Sequence, residues 1–287
     1  MIKFLPLFFS ILLTACANRS DFKAQNYSKE EQLLSRGVVD YKNDNYPAAQ
    51  QKFHRALDLY QSVDNYQGMQ LARVNLVETL LALNHFNAAK EQLLHLKQQN
   101  KTTGLDETFK ERIILLEVKW LFKIQQYRES LTRIEPLLLN LNNQKVSDKK
   151  GLELLATAAR LEALMHQETE YRWLSKFRKA IAENKQVQPK FQVILKRIDA
   201  VIATQNQQYP KALDLLHQAL IFYKNQSERR AIAACLEEIA KIEFKQHKPL
   251  DALKYLKSAL SIRTWLKDQF HVDRIQKIIS LQQPTQR

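Results

Sequence analysis

The amino-acid sequence predicts an all-α protein, a solenoid of antiparallel helix pairs with a period of about 40 residues. Three observations carry this prediction. First, a motif recurs. Asp44-Asn45-Tyr46-Pro47-Ala48-Ala49, followed by Phe53 and Ala56-Leu57, matches Gln207-Gln208-Tyr209-Pro210-Lys211-Ala212, followed by Leu216 and Ala219-Leu220. Second, the same frame of small, apolar and small residues fits four more places. Its anchors fall at 49, 89, 130, 173, 212 and 252, with spacings of 40, 41, 43, 39 and 40. Self-similarity at a fixed period marks a stack of equivalent supersecondary units. Third, the chain has only 4 glycines in 287 residues, against a usual share of about 7%. That scarcity suits nearly continuous helix.

The elements follow in order. First helices are expected at about 28–43, 67–83, 106–124, 148–165, 189–205 and 228–246. Ser28 followed by Glu31 reads as a capping box, in which side chains at the two positions satisfy each other's backbone amides. Each second helix starts just before its anchor and carries apolar residues four and seven positions later, the spacing of one helical face. Pro47, Pro210 and Pro249 sit where three of these helices begin, since proline at the first helical position loses no hydrogen bond. Ser130 and Trp173 occupy the anchors of units three and four. Residues 272–281, with Ile275, Ile278 and Ile279 on one face, are expected to cap the open end, as terminal units of solenoids must. The solenoid thus spans 28–268, followed by a capping helix and tail at 269–287.

These residues resemble the tetratricopeptide repeat. In the first unit Gly37, Ala49 and Ala56 fall on that family's small positions, and Tyr46 and Phe53 on its aromatic ones. Asp40 departs at the remaining aromatic position, beside Tyr41. The period exceeds the family's 34 residues, which implies longer helices or turns. The resemblance implies a right-handed superhelix whose first helices line a concave, partner-binding face. Transferred by position, that face receives Tyr41 and Lys42 from unit one, Asn75 and Glu78 from unit two, Lys119, Phe122 and Lys123 from unit three, and Lys241, Phe244 and Lys245 from unit six. The family's carboxylate clamp is not expected, because Leu34 and Val38 stand at its Lys and Asn positions.

The amino terminus points to a compartment. Residues 1–15 carry one positive charge (Lys3), an apolar run over 4–13 and small residues before Cys16. This is the pattern of a cleaved secretory signal. Leu13-Thr14-Ala15-Cys16 resembles the lipobox of bacterial lipoproteins, which implies cleavage before Cys16 and acylation of that cysteine. Several acyl chains anchor stably where one does not. Residues 16–27 then read as the lipidated cysteine and a flexible tether. Ala17 after the cysteine, in place of aspartate, points to the periplasmic face of an outer membrane. Cys235 sits in an apolar run and reads as a buried small residue.

Charge and motifs bound the function. The net charge is +14 and uneven: residues 16–143 carry 17 Lys/Arg against 15 Asp/Glu, and residues 144–287 carry 26 against 15. The densest basic stretch is 171–197, where Arg172, Lys176 and Lys179 share one helix face. It is a candidate patch for an anionic glycan or lipid such as peptidoglycan or lipopolysaccharide. Nucleic acid is not an expected partner of a secreted chain. The 7 histidines show no metal-ligand spacing, and no nucleophile elbow, P-loop or CxxC occurs. No enzymatic activity and no cofactor or metal is expected. The expected function is a membrane-anchored periplasmic scaffold that binds a protein partner in envelope assembly. The alternative is a binding module for an anionic glycan or lipid through the basic carboxy-terminal half.

Overall fold

A computed structural model describes residues 28–103, 106–141, 148–165, 170–184 and 187–282. The expected signal, Cys16 and the tether lie outside the described residues. Thirteen helices and no strand occur among those described. They are α1 (Lys29–Lys42), α2 (Tyr46–Ser62), α3 (Tyr66–Ala82), α4 (Phe86–Thr103), α5 (Glu107–Lys123), α6 (Tyr127–Leu139), α7 (Lys149–Met165), α8 (Arg172–Glu183), α9 (Pro189–Gln205), α10 (Tyr209–Asn225), α11 (Arg229–Lys245), α12 (Pro249–Trp265) and α13 (Gln269–Leu281). The six first helices begin within one residue of the positions the sequence predicts. The capping helix starts three residues earlier than the isoleucine pattern suggests.

The long period has a simple local cause. Eight of the helices are 17 residues long, and eight of the fully described connections are turns of three residues, so the chain advances about 20 residues per helix. Each turn repeats one geometry. In the first, the Asn45 N–H donates to the Asp40 carbonyl at 2.9 Å and the Asp44 N–H to the Tyr41 carbonyl at 3.1 Å. The middle residue is left-handed. Asp44, Asp64, Asn84, Gln125, Gln207, Ser227, His247 and Lys267 all have φ between 52° and 65°. This is a Schellman-type helix end, which satisfies carbonyls that the last turn would otherwise leave bare. The residue after the left-handed one is already the next helix's cap. A turn within a unit and a turn between units are therefore the same structure.

The helix starts are set by side chains the sequence advertises. Ser28 and Glu31 form the capping box, with the Ser28 N–H donating to the Glu31 carboxylate at 2.9 Å. Asn65 and Asp106 accept from the Gly68 and Phe109 amides at 2.9 and 2.8 Å. Pro249 occupies the first position of α12, whereas Pro47 and Pro210 occupy the second positions of helices that begin at Tyr46 and Tyr209, one residue earlier than expected. Proline is tolerated at both places, since neither amide has an intrahelical partner.

All six anchors are buried: Ala49, Ala89, Ser130, Trp173, Ala212 and Ala252. Small side chains there let paired helices approach closely. Ser130 keeps its hydroxyl satisfied by donating to the Val118 carbonyl at 3.0 Å. Trp173 fills its slot because α7 offers Ala156, Ala158, Ala159 and Ala163 to the same cluster, leaving room for an indole. The core runs the length of the stack in three clusters, which meet at α5 and α9. Asp40, where the repeat frame wants an aromatic residue, instead pairs with Lys52. Tyr41 supplies the ring, packed on Tyr46 at 4.9 Å between centroids.

Gly68 shows how tight the packing is. A Cβ at this position would collide with the Tyr60 ring. A buried ring cannot move aside cheaply, and overpacking of this kind costs about 1–3 kcal/mol. Gly68→Ala is therefore expected to lower Tm despite alanine's better helix propensity, a balance that thermal denaturation would read directly.

The two ends of the stack meet. Arg230 Nε of α11 donates to Asp44 Oδ1 at 3.0 Å, across 186 residues of sequence. The Arg230 guanidinium also lies 3.9 Å from the Tyr46 ring centroid. Phe86 at the start of α4 packs edge-on against Phe270 of α13 at 6.2 Å. The solenoid therefore closes on itself, and the inner faces of its first helices surround a common groove.

Candidate binding groove on the inner face

A cavity of about 390 Å³ opens in the groove, within the usual range of about 300–1,000 Å³ for ligand sites. It is built from α5, α6, α7, α9, α10 and α11. Each odd-numbered helix turns the same stripe inward, at spacings of three and four residues. From α9 come Ile194, Arg197, Ile198, Val201 and Gln205, and from α11 come Glu238, Lys241, Ile242 and Lys245. Phe122 of α5 and Tyr127 of α6 pack at a tilt on the same lining, their centroids 5.7 Å apart. Arg160 of α7 lies over the Phe122 ring, 4.8 Å from its centroid.

Two arginines in this pocket differ in kind. Arg197 is held by Glu238, with Nη2 donating to Oε1 at 2.5 Å. Burial works against its charge, but the Glu238 carboxylate overcomes that penalty and raises the pKa. Arg160 has no carboxylate in contact. Burial, and then the charge of Arg197, push its pKa below the ordinary guanidinium value. Lys123 is likewise lowered, chiefly by burial, with Asp268 opposing and Arg263, Arg230 and Arg160 adding to the effect. Positive charge thus accumulates inside the ring.

The residues expected on the concave face fall into three groups. Phe122, Lys241 and Lys245 line the cavity together. Tyr41, Glu78, Lys119 and Lys123 belong to the amino-terminal side of the groove. Lys119 Nζ donates to Glu78 at 3.0 Å, and Lys123 Nζ to Asn84 Oδ1 at 3.3 Å. The Tyr41 phenol is pushed up to about 12 by burial and by Glu78, with Arg230 opposing. The remaining three are less directly placed. Lys42 lines a second, polar hollow of about 600 Å³ between the α1–α2 turn and the start of α11. Asn75 donates to the Leu71 carbonyl of its own helix at 2.8 Å. Phe244 packs on the carboxy-terminal core.

On the basic stretch, Arg172 and Lys176 both lie over the Trp173 ring, at 4.6 and 4.8 Å. Lys179 pairs with Glu183 at 3.8 Å and Arg172 with Glu135 at 3.5 Å. Arg178, Lys190 and Arg197 also hold carboxylates. Five of the described cations in this stretch are therefore already paired.

Beyond the expected residues stand Arg160, Arg197 and Glu238, and the network that closes the ring. Asp268, capping α13 and 4% exposed, receives Arg230 NH1 at 3.3 Å, Arg263 NH1 at 3.0 Å and lies 2.8 Å from His271 Nδ1. Buried Arg263 also donates through Nε to Glu237 at 2.9 Å, and Glu237 further accepts from Arg274. Buried Glu162 of α7 closes the start of α8, accepting from the Trp173 and Leu174 amides at 2.9 and 2.8 Å. Cys235 is buried, and burial pushes its thiol up to about 11. No group of three His, Cys, Asp or Glu that could hold a metal occurs among the described residues. No helix among them is long and apolar enough to cross a membrane.

Fold and groove define a class: an all-helical repeat protein with a tetratricopeptide-like architecture. No family model and no curated protein matches the chain. Solved structures do. The apo form of RapI matches with a TM-score of 0.52 at 14% identity, covering 88% of this chain and 72% of that one. A Rap protein complexed with Competence and Sporulation Factor matches with a TM-score of 0.56 at 16% identity, covering 86% and 71%. At such identities the likeness is one of fold.

Proposed function

We propose that this chain is a binding scaffold that holds a segment of a protein partner in its inner groove, tethered to the bacterial envelope through acylated Cys16. The observation that carries the reading is the 390 Å³ cavity, where apolar walls and unneutralised cations face one another. Apolar anchors supply affinity and a field of one sign speeds encounter. The similar Rap structure is of a complex, with Competence and Sporulation Factor, in keeping with a fold used for binding. The apolar run, small residues and cysteine of the amino terminus support the tether, and Ala17 supports the outer membrane as its site. An anionic glycan or lipid on the 171–197 face is a weaker reading, because carboxylates of the chain already hold most of the cations there.

Photocrosslinkers at Tyr41, Phe122 and Phe244, compared with one at exposed Leu94, test this in cells. The reading expects one recurring envelope protein from the groove positions, none of it from Leu94, and loss of the adduct with membrane association in Cys16→Ser. The same adducts from Leu94 as from Phe122 would remove the groove from the account. A Cys16→Ser chain that still partitions tightly with membranes would remove the tether.

A further inference from the structure

Three cations in the groove hold no carboxylate in an ion pair among the described residues, although Glu238 acts on Arg160 from a distance. Among the described residues, Arg160, Lys241 and Lys245 make no hydrogen bond or ion pair, although all three line the cavity. Neighbouring Arg197 shows what the site does when a carboxylate is at hand, since Glu238 takes it at 2.5 Å. Arg160 lies along the Phe122 ring and, like Lys241 and Lys245, is exposed where the groove opens, so an anion that enters can reach all three.

The rest of the lining restricts what the anion belongs to. Ile194, Ile198, Val201 and Ile242 form apolar walls on either side of the cations. The wall also carries acceptors. Gln205 donates its amide to the Ala163 carbonyl at 2.9 Å, and its Oε1 is buried without a partner. Glu238 adds a carboxylate. A fatty acid or phosphatidic acid has an acid group and an apolar body but no N–H groups to answer those acceptors, and an amine-bearing phospholipid carries its N–H on a cation that Arg160, Lys241 and Lys245 would repel. A peptide has all three.

We infer, on the groove-binding reading above, that the pocket receives a short peptide segment with an acidic side chain between apolar residues, its carboxylate seated among Arg160, Lys241 and Lys245. Such an acid forms charge-assisted hydrogen bonds with no new charge left unpaired. Its apolar neighbours cover the isoleucine walls, and its backbone faces the acceptors.

The test is a display selection of random twelve-residue peptides on the full immobilised chain. Enriched peptides are then resynthesised and titrated by fluorescence anisotropy. The expected result is enrichment of sequences with Asp or Glu flanked by apolar residues. Changing that acid to its amide should weaken binding by about tenfold or more. Arg160→Gln should produce a similar loss, and the two changes together little more than either alone. Arg160 touches solvent and lies outside the core, so helicity should be unchanged, and Lys241→Gln provides a second variant. Enrichment of neutral or basic peptides that still depend on Phe122 would overturn the acidic ligand and leave the groove standing. Absence of any enrichment, or binding indifferent to both Phe122 and Arg160, would overturn both.

Discussion

Replacing Arg263 with alanine is expected to destabilise the protein by about 3–5 kcal/mol, the cost of breaking a buried ion pair by removing one partner. Arg263 is 5% exposed and lies between two buried carboxylates, Glu237 and Asp268. Alanine would remove the side chain that bridges both. Arg274 still reaches Glu237, and Arg230 and His271 still reach Asp268, so the chain should fold but melt roughly 10 °C lower. Arg263→Lys keeps the charge but not the fork that meets two acids at once, and should fall between. A loss below about 1 kcal/mol, the scale of exposed pairs, would mean the network does not hold the last units together.

The same network sets the acid limit of the fold. Burial works against the Asp268 charge, but the His271 hydrogen bond and the charges of His271, Arg263 and Arg230 outweigh it and hold the pKa below the usual aspartate value. The folded state therefore keeps Asp268 ionised to lower pH than the unfolded chain does. Its stabilising contribution is complete above the ordinary aspartate range and is lost as pH falls through the depressed value. In Asp268→Asn this part of the acid sensitivity should disappear from a series of denaturation curves.

Arg230→Ala is expected to open the ring without unfolding it. The side chain joins Asp44 to Asp268 and covers the Tyr46 ring. Loss of these contacts should weaken closure by about 2–3 kcal/mol, a shift of roughly 30- to 150-fold in favour of separated ends. Helix content should not change, because each unit packs on its neighbours. The radius of gyration should rise in small-angle scattering. Ligand affinity should fall as well, since the groove's two sides would part. A scattering curve superimposable on the wild type would show that closure does not depend on this arginine.

The repeat was legible because its physics is local. Ala49, Ala89, Ala212 and Ala252 each mark a close contact between helices that are neighbours in sequence, and apolar residues four and seven places on mark the buried face. The Ser28–Glu31 capping box could be read directly. The turns were less legible. Gln125, His247 and Lys267 take left-handed backbone that glycine or asparagine would normally announce, and only their common place in the period identifies them. Glu238 was missed because transfer to unit six began one turn later, at Lys241, and Arg160 and Arg197 for a related reason. Units four and five gave no concave residues by transfer of the repeat frame, although counting along α7, α9 and α11 from their first residues aligns one inward stripe. Closure could not be read at all. Nothing near Asp44 in sequence indicates Arg230, because the meeting of the ends depends on the accumulated curvature of the whole stack.

That meeting is what makes the inner face an enclosed groove, and it can be measured as a distance. Spin labels at Asn43→Cys and Glu228→Cys would flank the Asp44–Arg230 contact on exposed turns, with Cys16 changed to Ser. Cys235 is buried and its thiol raised to about 11, so it should stay unlabelled. Pulsed electron resonance on the closed ring should give one narrow, short distance that broadens and lengthens in Arg230→Ala. A broad, long distribution in the otherwise wild-type chain would contradict the closed ring and the groove built within it.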